Sequence, residues 1–504
     1  MTPVDGVAGV HALVTGAGRG IGRAARSWSA ARWGARCFRR AAAGASSTSL
    51  RRWAPSAIRG RAAYCASKHA VNGLTKGGLV SKIVKQASPQ TAAATQEIRD
   101  TVAQILADVE REGEVAVRRY SQRFDSWDPP SFIVSDDEIA AVAESLDGEL
   151  RDHIAFAEDQ VRGFAELQLE QLRDFETETL PGIVLGQKHI PVNAVGSYSP
   201  GGRYPMLASS IMTVVVPKVA SVHRVVAAAP PARAKGIHPP QLHAMATSGA
   251  DQILCVGGVQ GLAALAFGIE GVEPVDMLVG AGNAYVAEAK RQLFGRVGID
   301  LLAGPTEVLI IADASADPDL VAADLLGQAE HGPTSPAVLV TTSEEMARAT
   351  LAAVDRWLET WPTAEVAGQA WRDRGMVVLA DDDDEAVRLA DEIATEHLEI
   401  QTRDPDWYLQ RLTNYGSAFV GAGATVAFSD KAIGTNHVLP TGRAARYTGG
   451  LWVGKFLKTV TYQKVTDEGI RAVAPPTAAI SDAEGFGGHA LTARIRLERV
   501  EGGG

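Results

Sequence analysis

An α/β fold, with parallel sheets covered by helices on both faces, is what this sequence predicts, and three observations predict it. From Ala194 onward, short β-rich runs alternate with helical stretches, the rhythm of successive strand–helix–strand units. Two pairs of amphipathic helices precede that alternation. The chain of 504 residues is 46% hydrophobic and 21% charged, ordinary globular values, and long enough for two or three domains.

The chain opens differently. "LVTGAGRGIG", Leu13 to Gly22, is an apolar run entering a glycine-rich turn. It reads as strand, tight turn and helix N-terminus, where backbone N–H groups can approach a pyrophosphate. "AAYCASKHAVNGLTK" follows, with Tyr64 and Lys68 spaced to share one helix face. Together the two motifs resemble the short-chain dehydrogenase/reductase family. A βα step takes roughly 30 residues, so the interval from Thr15 to Tyr64 holds about one, where a doubly wound nucleotide domain needs several. Residues 1–80 are therefore expected to be a truncated, inactive remnant, and residues 81–504 the catalytic region.

Beyond the leader each element has its signal. "TAAATQEIRDTVAQILADVEREGEVAVRRYSQRFD" reads as two amphipathic helices around a break at Gly113. A second helical pair starts at the capping residue Ser135 in "SDDEIAAVAES". Strands are expected at "AVGSYSP", "TVVVPKVA", "HRVVAAAPP", "QILCVGG", "DMLVGAGN", "EVLIIADA", "AVLVTTS" and "MVVLA". The helix "DPDLVAADLLGQAEHG" has Pro318 in its first turn and ends at Gly332-Pro333. "DDDDE", Asp381 to Glu385, reads as a solvated helix start.

Charge and cysteine content exclude several classes. The net charge is −10, yet residues 1–85 carry 15 Lys and Arg against the single acid Asp5. The remainder carries 34 basic and 58 acidic residues, which argues against a nucleic-acid partner. Cys37, Cys65 and Cys255 form no CxxC pair, so neither a disulfide frame nor a cysteine zinc site is suggested. Cys255 reads as a buried strand residue. No apolar stretch is long enough to span a bilayer, and the start lacks signal-peptide order, so a cytoplasmic chain with no membrane partner is expected.

Polar residues then gather at element ends. Gln328 and His331, three apart, share the face at one helix C-terminus. Glu396 and His397 adjoin in "TEHLEIQT", a carboxylate beside an imidazole as in an acid/base pair. Taken singly, each fits a capping or helix-end polar pair. "FSDKAIGTNHVLPTG" adds Asp430, Asn436 and His437 between apolar flanks, and "DAEGFGGHA" adds Glu484 and His489. None has a standard zinc spacing such as HExxH. Their sum offers scattered N and O donors beside acid/base groups, which suits a catalytic zinc with an open position.

Eight stretches stand in one order: "YSPGG", "GGVQGLAALAFG", "VGAGNAYVAEAKRQLFG", "AGPTEVLIIAD", "LLGQAEHGP", "TEHLEI", "GTNHVLPTG" and "AEGFGGH". Together they closely resemble the histidinol dehydrogenase family, from about residue 82 to 498. The resemblance implies two intertwined, incomplete Rossmann-like halves with helical arms, assembled as a homodimer with a shared active site. It implies one zinc per subunit, NAD, and a four-electron oxidation of a primary alcohol to a carboxylate through a held aldehyde. By resemblance the zinc ligands are Gln328, His331, Asp430 and His489, the last reaching the partner's metal. Glu396 and His397 are the acid/base pair, and Tyr198, Gln260 and Asn283 the NAD contacts. Thr306, His437 and Glu484 join the ligands and His397 on the substrate side; Thr306 stands where such enzymes commonly have Ser.

Two stretches depart from typical histidinol enzymes. "PGGRYPMLASS" carries Arg203 and Tyr204, and "TGRAARYTGGLWVGKFLKTVTYQ" is basic and aromatic. Both resemble the sulfopropanediol dehydrogenase branch, which oxidises 2,3-dihydroxypropane-1-sulfonate to 3-sulfolactate. A sulfonate calls for fixed cations, and Arg offers a planar fork. Arg203, Arg443, Arg446 and Lys455 are the candidates, although each alone fits a surface or interface cation. The sulfonate diol is the expected substrate, with L-histidinol second; a non-catalytic NAD-binding paralogue is the alternative of another class.

Overall fold

The structure is a computed structural model and describes residues 82–88, 94–201 and 204–502. The glycine turn at Leu13–Gly22 and the Tyr64–Lys68 pair lie outside the described residues, as does Arg203.

In chain order come β1 (Lys82–Lys85), the helical pairs α1 (Ala94–Glu112) with α2 (Glu114–Asp125) and α3 (Asp136–Ser145) with α4 (Gly148–Glu170), and strands β2 (Phe175–Leu180) and β3 (Ile183–Pro191). A first α/β half follows: β4 (Ala194–Tyr198), α5 (Leu207–Val219), β5 (Arg224–Ala229), α6 (Pro239–Thr247), β6 (Gln252–Cys255), α7 (Gly258–Phe267), β7 (Met277–Val279), α8 (Ala284–Leu293) and β8 (Gly298–Ile299). The second half opens with β9 (Val308–Ala312), α9 (Pro318–Ala329), β10 (Ala337–Thr341), α10 (Glu344–Leu358), α11 (Ala364–Arg374) and β11 (Met376–Leu379). It continues with α12 (Asp383–Ile393), β12 (His397–Gln401), α13 (Pro405–Leu409), β13 (Ser417–Val420) and α14 (Val426–Lys431). Last are β14 (Leu457–Val465), α15 (Asp467–Ala483) and α16 (Gly487–Gly502).

The two halves repeat one topology. The first sheet runs β6-β5-β4-β7-β8, all parallel. The second runs β11-β10-β9-β12-β13, also parallel, with β1 added antiparallel on the β11 edge. In each, the first strand of the half lies at the centre and the winding reverses there, the doubly wound pattern. The central strands Val308–Ala312 and Ala337–Thr341 are buried along their whole length. Such unbroken burial is what covers on both faces require of parallel strands. Val225, Ala227 and Ile253 face α4, α5 and α6 on one side of the first sheet. Val226, Leu254 and Leu278 face α1, α2, α7 and α8 on the other.

Local signals in the sequence have visible counterparts. Ser135 and Glu138 form a reciprocal capping box at the start of α3. Asp382 caps α12, so the acidic run is a helix start. Cys255 is buried at the end of β6. One assignment is corrected: residues 213–220, "TVVVPKVA", are not a strand but most of the last turns of α5. Ten consecutive residues, Ala208 to Pro217, are buried, because α5 is enclosed by β4, α4 and α6. A run buried on every side has no period that distinguishes helix from strand, and its valines tip the local signal toward strand.

The strand–helix alternation does not announce a third sheet, the antiparallel β14-β3-β2. After α14 the chain returns to the first half, where Asn436 Nδ2 donates to the Met212 carbonyl at 3.1 Å. Val438, Leu451, Val453 and Phe456 then enter that half's core, and β14 pairs with β3 over nine residues, Leu457–Val465. This return interlocks the halves. The closing pair α15–α16 packs through Ala474, Ala478, Ala490 and Ala493, a small core of its own. Among the described residues no helix is long and apolar enough to cross a membrane.

Candidate active site

Two groups of polar side chains sit at sheet edges. The first lies where the first sheet reverses its winding, at the carboxyl ends of β4 and β7, the usual crevice for a dinucleotide. Tyr198 ends β4, and its hydroxyl accepts the Gly258 N–H at 3.0 Å. Gln260, in the first turn of α7, donates to Asp125 Oδ2 at 3.0 Å. Asn283 caps α8, accepting from the N–H groups of Tyr285 and Val286 at 3.0 and 3.2 Å. The turn before it depends on Gly280, whose φ is +114° and where a Cβ would meet the Tyr198 carbonyl oxygen at 2.0 Å. The buried Lys290–Asp300 ion pair pins this turn: Lys290 Nζ donates to the Gly280 carbonyl at 2.7 Å and Asp300 Oδ2 accepts its N–H at 2.8 Å. Backbone kept free of side chains beside two helix N-termini fits a pyrophosphate.

The second group lies at the opposite, amino-terminal edge of the second sheet. Thr306 and Glu307 precede β9, Glu396 and His397 open β12, and both pairs of elements lie side by side, with His397 paired to Val308. Gln328 arrives from the last turn of α9 and His331 just beyond it. Thr306 Oγ1 donates to Glu396 Oε2 at 2.6 Å, and Gln328 Nε2 donates to Thr306 Oγ1 at 2.5 Å. The Glu307 N–H also donates to Glu396 Oε2, at 3.1 Å. Burial raises the Glu396 carboxyl well above its usual range, with Glu307 beside it adding to the effect.

The shorter of two contacts at Nδ1 sets the His397 tautomer, the Gln328 amide nitrogen lying farther off at 3.3 Å. His397 Nδ1 lies 2.9 Å from the Glu307 carbonyl oxygen, which only accepts, so Nδ1 carries the proton and Nε2 is the basic nitrogen. His437 Nδ1 stands 3.3 Å from that Nε2. Burial pushes both imidazoles down to about 3, so both are neutral. His437 Nε2 is buried without a hydrogen-bond partner among the described residues.

Asp430, in α14, brings its Oδ1 to 3.8 Å from His437 Nδ1 and acts electrostatically on His331. Burial lowers the His331 pKa as well, which leaves a neutral imidazole able to bind a metal. Lys431 Nζ pairs with Asp430 Oδ2, so the carboxylate already faces a cation. Gln328, His331 and Asp430 are a mixed N/O donor set of the kind that holds a divalent ion with an open position. Among the described residues no three His, Cys, Asp or Glu converge on one point, so a full set needs the Gln328 amide and a fourth donor from elsewhere.

Seven expected residues thus meet in one cluster: Thr306, Gln328, His331, Glu396, His397, Asp430 and His437. Glu484 and His489 do not join it; both are exposed, Glu484 at the end of α15 and His489 on α16, where its ring meets Phe486. Tyr204 is also exposed, its hydroxyl 3.5 Å from the Glu330 carbonyl. Arg446 is exposed, and Lys455 Nζ donates to Thr448. Arg443 differs: it is partly buried, adopts φ +71°, and its Nε is buried without a partner among the described residues. Two residues were not expected. Glu307 orients His397, and a polar residue next to Thr306 at the mouth of an apolar strand was the available signal. Asp125 holds Gln260 from 135 residues away, for which the sequence offers no signal.

Residues 88–497 match the family model for histidinol dehydrogenase. A histidinol dehydrogenase homolog of Shouchella clausii is 53% identical over 403 residues, 80% of this chain and 95% of that protein. The sulfopropanediol 3-dehydrogenase of Ruegeria pomeroyi is 46% identical over 418 residues, 82% of this chain and 96% of that protein. The crystal structure of a histidinol dehydrogenase from Elizabethkingia anophelis superposes with a TM-score of 0.78 at 32% identity, covering 82% of this chain and 95% of that one.

Proposed function

The chain belongs to the histidinol dehydrogenase family of NAD-dependent oxidoreductases acting on CH–OH groups, and from that premise we propose that it oxidises the primary alcohol of 2,3-dihydroxypropane-1-sulfonate to the carboxylate of 3-sulfolactate. The observation that carries the substrate is Arg443. A non-glycine residue in the left-handed region costs on the order of 1 kcal/mol, and a buried guanidinium nitrogen without an acceptor costs more. Both costs fall on a loop that closes against the site, since the Gly442 N–H donates to Glu307 Oε1 at 3.1 Å. An oxyanion presented to the Arg443 fork would satisfy it. The 46% identity to a sulfopropanediol 3-dehydrogenase supports the same choice.

When bound, NAD would be held by Tyr198, Gln260 and Asn283 and would supply the hydride acceptor, a fresh NAD for each of the two oxidations, and a divalent metal, proposed as zinc, would be held by Gln328, His331 and Asp430 and would polarise the reacting oxygen. His397 Nε2 takes the hydroxyl proton in the first oxidation, releases it to solvent, and takes the hydrate's hydroxyl proton in the second, its Nδ1–H held on the Glu307 carbonyl throughout. Glu396 takes a proton from the water that adds to the aldehyde; Oε2 is occupied by Thr306 and the Glu307 amide, so Oε1 carries that proton. Burial of the cluster keeps the aldehyde from bulk water. His489, exposed on the α15–α16 arm, is proposed to complete the site of a second subunit, with Glu484 beside it.

L-Histidinol is the second reading, favoured by the family match and by the superposition on a histidinol dehydrogenase. Turnover of both alcohols with NAD and added zinc separates the two. The sulfonate diol is expected to exceed L-histidinol in kcat/KM, and Arg443→Gln to lose that preference; oxidation of L-histidinol alone would reject the sulfonate reading.

A further inference from the structure

Beside the catalytic cluster lies a second buried polar group, Asp324, Glu399, Gln401 and Thr425. Three elements that carry cluster residues, α9, β12 and α14, each supply one member or more. Asp324 lies on α9 one turn before Gln328, Glu399 on β12 two residues after His397, and Thr425 is the N-cap of α14, the helix of Asp430. Thr425 Oγ1 donates to Asp324 Oδ1 at 2.8 Å. Gln401 Nε2 donates to Asp324 Oδ2 at 2.8 Å and to Glu399 Oε2 at 3.1 Å. Glu399 Oε1 accepts the Val426 N–H, the first of α14, at 3.2 Å.

Glu399 is wholly buried, and no Lys or Arg among the described residues pairs with it or with Asp324. A second carboxyl close by and no cation make a buried glutamate costly to ionise. Burial and the neighbouring Asp324 hold Glu399 well above the usual carboxylate range. Protonated Glu399 can donate to Asp324 while its other oxygen still accepts from Val426. Helix α14 has six residues, too few to be stable on its own hydrogen bonds, and its first N–H groups need outside acceptors.

We propose that the Asp324–Glu399 carboxyl pair is a positioning device that seats the N-terminus of α14 and so sets where Asp430 stands relative to Gln328 and His331. This assignment rests on the reading of those three residues as metal donors. It is tested by zinc affinity, measured in competition with a chelator on the whole protein, with folding checked by circular dichroism and thermal unfolding. Glu399→Leu and, more mildly, Thr425→Val are expected to weaken zinc binding, the former by about 10- to 100-fold, as is typical of residues behind metal ligands. Glu399→Gln, whose amide can donate to Asp324 and accept from Val426, is expected to stay within about threefold of the parent. Should Glu399→Leu fail to fold, Thr425→Val gives the same reading. Folded Leu and Val variants that bind zinc like the parent would overturn the proposal, as would a Gln variant as weak as Leu. A parent that binds no zinc would overturn the metal reading itself.

Discussion

Glu307 does more than its place beside Thr306 suggests. Its carbonyl orients His397, its N–H donates to Glu396, and its carboxyl accepts from Gly442. Burial raises that carboxyl to about 7, against the partial opposition of the Gly442 hydrogen bond. The folded protein thus binds this proton more tightly than the unfolded chain. The resulting stability is complete below the ordinary glutamate range and disappears as pH rises through about 7. The amount at stake is on the order of 3 kcal/mol. Glu307→Gln keeps the acceptor and removes the titration, so its melting temperature is expected to gain on the parent's at pH 8 relative to pH 5. Parallel melting curves at the two values would refute this account.

At the scale of the element, the Gly280 turn, proposed to carry NAD, is the most tightly specified piece. Gly280 cannot carry a side chain without displacing the Tyr198 backbone, and Lys290 and Asp300 clamp its peptide from both sides. Gly280→Ala adds both a forbidden φ and a clash. It is expected to cost about 1–3 kcal/mol of stability and to weaken NAD binding at least tenfold, with zinc binding unchanged, because the proposed metal donors belong to the other half. Calorimetric titration with NAD measures this, and parent-like affinity would show that the turn does not carry the cofactor. Helix α5 is the contrary case: local β propensity lost to burial on every side.

For the whole molecule, the two halves present opposite ends of their sheets to function. NAD contacts are proposed at the carboxyl ends of β4 and β7, the acid/base pair at the amino ends of β9 and β12. The return of residues 436–456 onto the first half binds these two edges into one body. The α15–α16 arm holds His489 outside the cluster of its own chain, so the reading of a shared site makes a sharp prediction. His397→Asn and His489→Ala should each abolish turnover alone. Mixed from coexpressed subunits, they should recover about a quarter of parental activity, since half the dimers then hold one intact site. No recovery would place His489 outside the shared site.

What the sequence by itself determined was the class, the family and seven members of the polar cluster. Parallel α/β architecture follows from strand–helix rhythm, because period and burial are local properties. Dispersed short motifs such as "EHGP", "TEHLEI" and "GTNHVLP" named seven residues that the fold brings together. Tertiary structure alone decided the rest. Glu307, Asp125 and the Asp324–Glu399 pair act through hydrogen bonds between segments tens to more than a hundred residues apart, and no local pattern encodes such contacts. The same holds for Arg443: its sequence context offers only a charge, while its left-handed backbone and its buried, unpartnered nitrogen exist only once the loop has closed on the folded body.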